Sequence, residues 1–571
     1  MSASTPTLID RVRGKSDVTL STPVYIVTLA LIVLPLGYLV YAALQTDSPG
    51  SPTSEFTWDN ITTVATTASY WTALRNSLWL GFLVSLFSVI LGVSFAWILG
   101  RTDVPFRGPL SVLVSLPIFL SPFAGGVAWV LLGSKKSGLI NGFLTKWFGE
   151  GAGIVNIMSF SGLVFVMVLA FAPLAYLFTL GPMLNMDGSL EEASRVGGAS
   201  VFRTMRKITL PVVLPGILSA ALMVFVLAAE MFSIPGLIGT AAGYRTLPFF
   251  IYQNTTAAPP NWGGAAAAGL ALLLIMLVGT LLQARATKTS SRFVTISGKG
   301  ARPVTLKLGR WRWVAFLIPA LYVLVGVVLP AAALLLTTFL QYYTPNLSWD
   351  LFTLQNWETT LASPRFQIAV QNTIFVGSAT PTIAVVIAFA LSYIRNRTHA
   401  PFRATMEAVG MLPVAIPGIV FGVGVLWAYV GSPVYGTVWL LLIAYCARFL
   451  PHALRVISSG IVQVDKGLEE ASRVAGAGVT KTMRSITIPL LKPTVLSGWL
   501  LLLIYCTREL NVAIMTYTSK SVVVPVLMWN EMSAGAYQKA AALAIIESTL
   551  ILAAVTIAAL VFRVNLFPRG K

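Results

Sequence analysis

Long apolar runs separated by short polar segments dominate the chain. A helix of about 20 apolar residues crosses a bilayer core, and about twelve runs approach that length. The predicted spans are Pro23–Leu44, Ser77–Leu99, Pro109–Leu132, Gly162–Leu180, Pro211–Phe232, Gly263–Gln283, Trp313–Thr338, Asn372–Ile394, Met406–Val430, Val434–Leu450, Thr494–Met515 and Ala540–Phe562. The pattern therefore predicts an all-α membrane protein. The first run is too long for the core of a signal peptide and lacks a small-residue cleavage site, so it is interpreted as a retained anchor.

Composition supports the membrane class. Of 571 residues, 56% are hydrophobic and 10% are charged, and the mean hydropathy is +0.80. Soluble domains are about a quarter charged, which excludes that class, and disorder is excluded by the apolar content. Cys446 and Cys506 are the two cysteines, and both fall inside predicted spans as small apolar residues, which excludes a disulfide scaffold.

The basic residues indicate how the chain is oriented. The net charge of +19 would suggest nucleic acid in a soluble protein, but here Lys and Arg lie between the apolar runs. With both termini inside, 28 of the 39 lie in inner loops, 8 in outer loops and 3 in or beside spans. Because cytoplasmic loops carry the excess of Lys and Arg, this asymmetry predicts cytoplasmic termini.

The chain contains an internal repeat. A segment L-E-E-A-S-R-V starts at Leu190 and again at Leu468, and the matching residues continue to Pro215 and Pro493. The similar segments R-T-D-V-P-F-R and R-T-H-A-P-F-R start at Arg101 and Arg397. The two offsets, 278 and 296 residues, differ by 18, and the outer loop 133–160 of the first half accommodates that difference. Six spans in each half predict a parallel repeat about an axis along the membrane normal.

The repeat predicts a domain organisation. The expected parts are an N-terminal inner segment with the first span and an outer loop (1–72), a first transport domain (73–283), a basic cytoplasmic linker (284–312), the seventh span with an outer loop (313–370), a second transport domain (371–562) and a cytoplasmic tail (563–571).

The repeated inner loop predicts a short helix that ends at a glycine. Ser189 and Glu192 fit a capping box, whereas Gly467 takes the place of the serine in the second copy and predicts a weaker cap. Gly198 and Gly476 are expected to end the helix, because glycine adopts turn conformations that other residues resist. Two matching inner loops imply two equivalent partners, or one partner with two equivalent sites.

The two loops resemble the pattern E-A-A-x3-G-x9-I-x-L-P of membrane subunits of ATP-binding-cassette importers. The matching residues are Glu192, Ala193, Ser194, Gly198, Ile208, Leu210 and Pro211, and then Glu470, Ala471, Ser472, Gly476, Ile486, Ile488 and Pro489. The departures are serine for the third small residue and isoleucine for leucine in the second copy. The resemblance extends from about Leu74 onward and implies a type I importer permease fold.

Within that class the chain resembles the fused, two-half permeases of the ferric iron type. The stretches that carry this resemblance are L-P-I-F-L-S-P-F from Leu116, G-L-I-N from Gly138, Y-R-T-L-P-F-F-I-Y-Q from Tyr244, L-P-V-A-I-P-G-I-V from Leu412, G-T-V-W from Gly436 and R-E-L from Arg508. Thiamine, phosphonate, polyamine and sulfate permeases share parts of them, so these solutes remain alternatives.

The resemblance also implies partners. Two copies of a separate ATPase, which bind ATP-Mg, are expected on the cytoplasmic side, and an extracytoplasmic solute-binding protein on the other side of a bacterial inner membrane. The residues expected to couple to the ATPases are Glu191, Glu192, Ala193, Gly198, Glu469, Glu470, Ala471 and Gly476. The chain has no G-x4-G-K-[ST] phosphate loop, so it is expected to be a transport subunit without cofactor or enzyme activity of its own.

Ionisable residues near membrane depth are candidates for the solute pathway. Glu230, Arg508 and Glu509 lie near the outer ends of the fifth and eleventh spans, and Arg448 and Glu547 are further candidates. The alternative is local pairing or contact with interfacial water. His399 and His452 are interpreted as surface residues, because no cluster of metal-ligating residues is visible. Small residues such as Gly92, Gly422 and Gly424 predict close helix packing.

Two other functional classes predict different sequence features. A carrier driven by an ion gradient predicts ionisable groups at the midplane and no matching inner loops, and a membrane scaffold predicts no transport. The matching loops favour the importer over both.

Overall fold

The computed structural model describes residues 8–292 and 305–562, and its regular structure there is helical, with three isolated β-bridges. Ten helices in these residues are long and apolar enough to cross a membrane. They are Ser21–Ala43, Ala68–Arg101, Phe160–Asn185, Val201–Ala229, Trp262–Arg285, Trp311–Thr338, Pro364–Arg397, Val438–Gln463, Val479–Thr507 and Tyr537–Ile557. We number them spans 1, 2, 4, 5, 6, 7, 8, 10, 11 and 12. The all-α membrane fold is confirmed.

Spans 3 and 9 are broken, which the sequence analysis did not predict. Span 3 consists of Arg107–Ile118 and Pro122–Gly133, bent by 96°, and span 9 of Arg403–Ala415 and Gly418–Tyr429, bent by 115°. The expectation of continuous helices over Pro109–Leu132 and Met406–Val430 is therefore wrong. Proline causes both breaks, because it has no N–H to donate and its ring clashes with the preceding turn.

The broken spans nevertheless complete a crossing. Arg101 at the end of span 2 forms an ion pair with Glu191, which follows span 4. Span 4 is 26 residues long, or about 39 Å, so the segment between the two residues returns to the same face only if span 3 also crosses. Arg397 and Glu469 impose the same condition on span 9. The described part of the chain therefore makes twelve crossings, and we call the face that carries Glu191 and Glu469 the loop face.

The internal repeat extends to spans 1 and 7, of which span 1 precedes the family resemblance that starts near Leu74. After span 1 a β-bridge joins Gln45 to Phe56, and after span 7 another joins Leu340 to Phe352. The side-chain amide of Asn60 donates to the carbonyls of Ala43 and Gln45, and Asn356 does the same to Thr338 and Leu340. Asn60 and Asn356 differ by 296 residues, the same offset as Arg101 and Arg397.

Each half places its first span on the other half. Span 1 packs on the second part of span 9, where a Cβ on Gly424 would lie 2.4 Å from the carbonyl oxygen of Pro35. Span 7 packs on the second part of span 3, and the Tyr343 hydroxyl beyond it donates to the Leu131 carbonyl. Only glycine permits this approach at position 424, which confirms the predicted close packing there.

The predicted basic linker is partly described. The helix of span 6 continues to Arg292, and residues 293–304 lie outside the described residues, as does the predicted tail 563–571. The end of the linker is fixed to the loop face, because Leu306 donates its N–H to the Arg101 carbonyl at 2.8 Å and accepts one from Asp103 at 3.1 Å. The linker therefore ends beside the Arg101–Glu191 ion pair.

Candidate functional site

The repeated loops have the predicted shape of a short helix that ends at a glycine. The first loop contains the helix Ser189–Val196 and the second contains Lys466–Val474. Gly198 and Gly476 then adopt φ values of +81° and +85°. This left-handed conformation favours glycine, so the predicted breaks are confirmed. A Cβ at either glycine would meet no atom within 4 Å, and only the backbone conformation therefore selects glycine here.

The predicted capping box is wrong in the first copy. Ser189 is the first helical residue, and its backbone N–H donates to the carboxylate of Asp187 at 3.0 Å. This hydrogen bond lowers the pKa of Asp187. Asp465 accepts the N–H of Gly467 in the same way at 2.8 Å. The equivalent aspartate accepts a backbone N–H in both copies, but it is the N-cap residue only in the second. Gly188 is the N-cap residue of the first copy and provides no side-chain cap, so the predicted weaker second cap is wrong.

Two of the eight predicted coupling residues, Glu191 and Glu469, face the protein interior. Glu191 and Arg101 are both fully buried, with an Oε2–Nη2 distance of 2.9 Å. The hydroxyl of Thr209 donates to the other carboxylate oxygen at 2.6 Å. These contacts fix the loop helix to the end of span 2 and the start of span 5. Glu191 therefore anchors the loop and does not lie on its outer surface.

The second loop repeats the anchor with looser geometry. Glu469 lies 3.5 Å from the Nε of Arg397, and the Thr487 hydroxyl donates to it at 2.9 Å. A further hydroxyl pair recurs in each loop at 2.9 Å, Ser194 with Thr204 and Ser472 with Thr482. The same buried network therefore holds the loop helix in both halves.

The other six predicted coupling residues are exposed on the loop face. They are Glu192, Ala193 and Gly198 in the first loop and Glu470, Ala471 and Gly476 in the second. Val196 and Val474, which the sequence analysis missed, are each 90% exposed. Helical spacing could have identified both valines, because each follows the exposed glutamate by four residues and shares its face.

The predicted pathway residues line one cavity between the two halves. Its volume is about 230 Å³, and Glu230, Arg508 and Glu509 contribute to its wall. Arg448, His452 and Arg455 of span 10 also line it. His452 was interpreted as a surface residue, and that interpretation is wrong. Its ring packs edge-on against Tyr505, with centroids 5.1 Å apart. His399 is exposed, as expected.

An ion pair joins the halves at the cavity wall. Glu230, which follows span 5, accepts a hydrogen bond from Arg448 of span 10 at 3.1 Å. The same guanidinium donates to the carbonyls of Pro413 and Ile416, where span 9 is broken. A helix break leaves carbonyl groups without partners in the helix, so Arg448 both pairs Glu230 and stabilises the break.

Arg508 has the corresponding role at the break in span 3. Its guanidinium donates to the carbonyls of Ile118 and Leu120 and lies over the ring of Tyr505. Arg508 and Glu230 differ by the repeat offset of 278 residues, so equivalent positions carry opposite charges. The sequence predicted either a place in the solute pathway or local pairing for Arg508. The structure shows both a place in the cavity wall and local partners.

The remaining carboxylates have different surroundings. Glu509 accepts the backbone N–H of Val512 at 2.9 Å. Glu547 is fully buried in span 12 and does not line the cavity. Within residues 8–292 and 305–562, no group of three or more His, Cys, Asp or Glu is placed to hold a metal ion.

An aromatic cluster joins the two halves beside the cavity, and one of its members, Phe123, also lines the cavity. Phe232 packs against Trp529 with ring centroids 4.7 Å apart and against Tyr252 at 5.0 Å, and Phe123 also contacts Trp529. Trp529 belongs to the second half and the other three residues to the first. On the opposite side Arg455, nearer the loop face on span 10, is exposed. The aromatic cluster and Arg455 therefore lie on different sides of the cavity.

Comparison with known proteins agrees with this architecture. A family model described as binding-protein-dependent transport system inner membrane component matches residues 88–289 and again residues 359–569. The ferric transport system permease protein FbpB of Actinobacillus pleuropneumoniae is 27% identical over 479 residues, which cover 81% of this chain and 67% of that protein. A Haemophilus influenzae protein that also carries the name ferric transport system permease is 28% identical over 440 residues, 74% of this chain and 67% of its own length.

Solved structures include a bacterial transporter for the import of the polysaccharide alginate. One of its chains is 18% identical with a TM-score of 0.38, over 44% of this chain and 95% of that chain. The family match covers both halves and most of the sequence. The chain therefore belongs to the family of binding-protein-dependent transport system inner membrane components and is a fused, two-half permease of an ATP-binding-cassette importer.

Proposed function

We propose that this permease is driven by two separate ATPase subunits, one docked on each repeated loop. The observation that carries the proposal is the duplicated anchor, in which a buried glutamate and arginine hold a helix whose outer face is exposed. Glu192, Ala193 and Val196 form that face in the first loop, and Glu470, Ala471 and Val474 form it in the second. The ATPases supply the site for ATP-Mg, and the loop face is cytoplasmic.

The cavity between the halves is the proposed solute pathway. Closure of the two ATPases on ATP moves the anchored loops together, and the aromatic cluster at Phe232 and Trp529 separates. A solute-binding protein outside the membrane then delivers its solute to the cavity. Hydrolysis returns the loops and closes the cluster. Each ATPase state must contact the loops differently, because only a differential interaction can shift the equilibrium between conformations.

The proposed solute is ferric iron. The support is the name of the two relatives, which are 27% and 28% identical to this chain over most of its length. Thiamine, phosphonate, polyamine and sulfate are the alternatives that the sequence left open, and each is an outcome of the experiment below. The permease itself has no enzyme activity in this proposal.

We expect iron uptake only with all the components present. Proteoliposomes that contain the permease, the ATPase and the binding protein, with ATP inside and with radioactive iron loaded on the binding protein, should accumulate the label. Omission of the ATPase should abolish accumulation. Uptake driven by an ion gradient without ATPase would instead establish a secondary transporter, and uptake of one of the four other solutes in place of iron would change the proposed solute.

We expect Gly198→Val to abolish uptake while the protein remains in the membrane. A β-branched residue at φ +81° is strained, at a cost of about 1–2 kcal/mol, and it turns the loop helix away from its anchored position. Gly476→Val should have the same effect. Because there is open space around both glycines, Gly198→Asn is the matched control and should retain most uptake, since asparagine tolerates the left-handed region. Normal uptake by both valine variants would contradict the role.

A further inference from the structure

The charged side chains that line the cavity differ in whether they already have a partner within the protein. Three arginines and two glutamates line the wall. Glu230 is paired with Arg448, and Glu509 accepts the N–H of Val512. Both carboxylates thus have a partner in the protein, although the second oxygen of Glu230, Oε2, accepts no hydrogen bond from the described residues.

Arg455 is the charged residue in the cavity wall that has no such partner within the ranges that the structure describes. Its side chain is exposed on span 10, and it makes no hydrogen bond or ion pair with any residue that the structure describes. An ionisable residue in a membrane-spanning helix that faces a cavity and lacks a partner is a candidate for solute binding. A guanidinium binds carboxylate and phosphate oxygens through two parallel hydrogen bonds, so the preferred ligand of Arg455 is an oxygen anion.

A helix end adds positive potential to the same cavity. The second part of span 3, Pro122–Gly133, is a helix of 12 residues that begins at the wall, where Ser121 and Pro122 line the cavity. The first N–H groups of a helix and its macrodipole favour negative charge. Half-helix ends of this kind bind anionic groups of solutes in other membrane transporters.

We propose that the solute occupies this cavity as an anion, so that iron crosses the membrane as an anionic ferric complex with carboxylate or phosphate ligands. This inference rests on the proposed function for the identity of the metal. Arg455 binds the outer oxygens of the complex. A bare ferric ion would meet three guanidinium groups against two carboxylates, which leaves a net positive wall, and in the described part of the chain it would meet no cluster of three metal-ligating residues.

The test measures binding and uptake separately. The permease with its ATPases is placed in lipid nanodiscs, and equilibrium dialysis measures binding of ferric citrate, with spermidine as a cationic probe. We expect saturable binding of ferric citrate and none of spermidine. Arg455→Gln should weaken ferric citrate binding about tenfold or more, as expected for the loss of a charge-assisted contact.

Two matched variants separate charge from structure. Arg455→Lys should recover most of the binding because it keeps the charge, and Arg365→Gln should bind as the wild type, since Arg365 is exposed at the start of span 8 and does not line the cavity. Equal binding by wild type and Arg455→Gln, or preference for spermidine, would overturn the inference.

The outcome remains distinguishable from failure of the proposed function. If wild-type proteoliposomes import no iron but the nanodiscs bind ferric citrate or citrate through Arg455, the proposed metal is wrong and the anion-binding cavity stands. If the wild type imports iron and Arg455→Glu imports it equally well, the anionic complex is wrong and the importer stands.

Discussion

Arg101→Ala should abolish uptake through a change at the base of one loop. The substitution leaves the carboxylate of Glu191 fully buried without its charge partner, and the loss of one member of a buried ion pair costs about 3–5 kcal/mol. The loop helix then leaves its position against span 2, and the ATPase that binds it no longer moves the spans. Uptake in proteoliposomes should fall about 100-fold or more, and ATPase co-purification should decrease.

The control restores packing without charge. Arg101→Met combined with Glu191→Met removes both ions, and such replacements are often neutral for stability, so the double variant should melt near the wild-type temperature and regain part of the uptake. Arg397→Ala in the second loop should have a smaller effect on the glutamate, because that pair is separated by 3.5 Å and the hydroxyl of Tyr393 also contacts Glu469. Wild-type uptake by Arg101→Ala would show that the ion pair does not position the loop.

The spans and the repeated loops could be predicted because their signals are local. Apolar runs of the length of a bilayer give spans whatever their neighbours are, and a glycine at the same place in two loops indicates the same turn. The two valines on the loop helices follow from helical spacing. Even the anchors had a signal, since an arginine at 101 and 397 and a glutamate at 191 and 469 recur in both halves.

The cavity could not be predicted, because its contacts join residues that are far apart in sequence. Arg448 and Glu230 are separated by 218 residues, and Arg508 and Leu120 by 388. Composition could suggest that span 3 contains prolines, but not that an arginine from the other half would satisfy the carbonyls at the break. The sequence also does not indicate which of the adjacent residues Glu191 and Glu192 faces inward, because that depends on how the loop helix packs against span 2.

The arginines connect the helix breaks to the interface between the halves. In span 9 the break is held by Arg448, which also binds Glu230 of the first half. In span 3 the break is held by Arg508 of the second half. A movement of one half relative to the other must therefore change the contacts at both breaks. The breaks are consequently the places where a motion that starts at the loops reaches the cavity.

Arg448→Ala should be the most damaging single substitution in the cavity. It removes the partner of Glu230 and the donors to the carbonyls of Pro413 and Ile416. The uncompensated carboxylate alone costs about 3–5 kcal/mol, and each unsatisfied carbonyl adds about 1–3 kcal/mol. We expect a much lower melting temperature in detergent, measured by size-exclusion chromatography after heating, and no measurable uptake.

A graded series separates the two functions of Arg448. Glu230→Gln keeps a hydrogen-bond acceptor and leaves the contacts at the break intact, so its melting temperature should fall less than that of Arg448→Ala. Arg448→Lys should lie between them, because an ammonium group keeps the charge but lacks the planar fork that reaches two carbonyls and a carboxylate together. If Glu230→Gln and Arg448→Ala lower the melting temperature equally, the contacts at the break contribute nothing, and the ion pair alone accounts for the stabilising effect of Arg448.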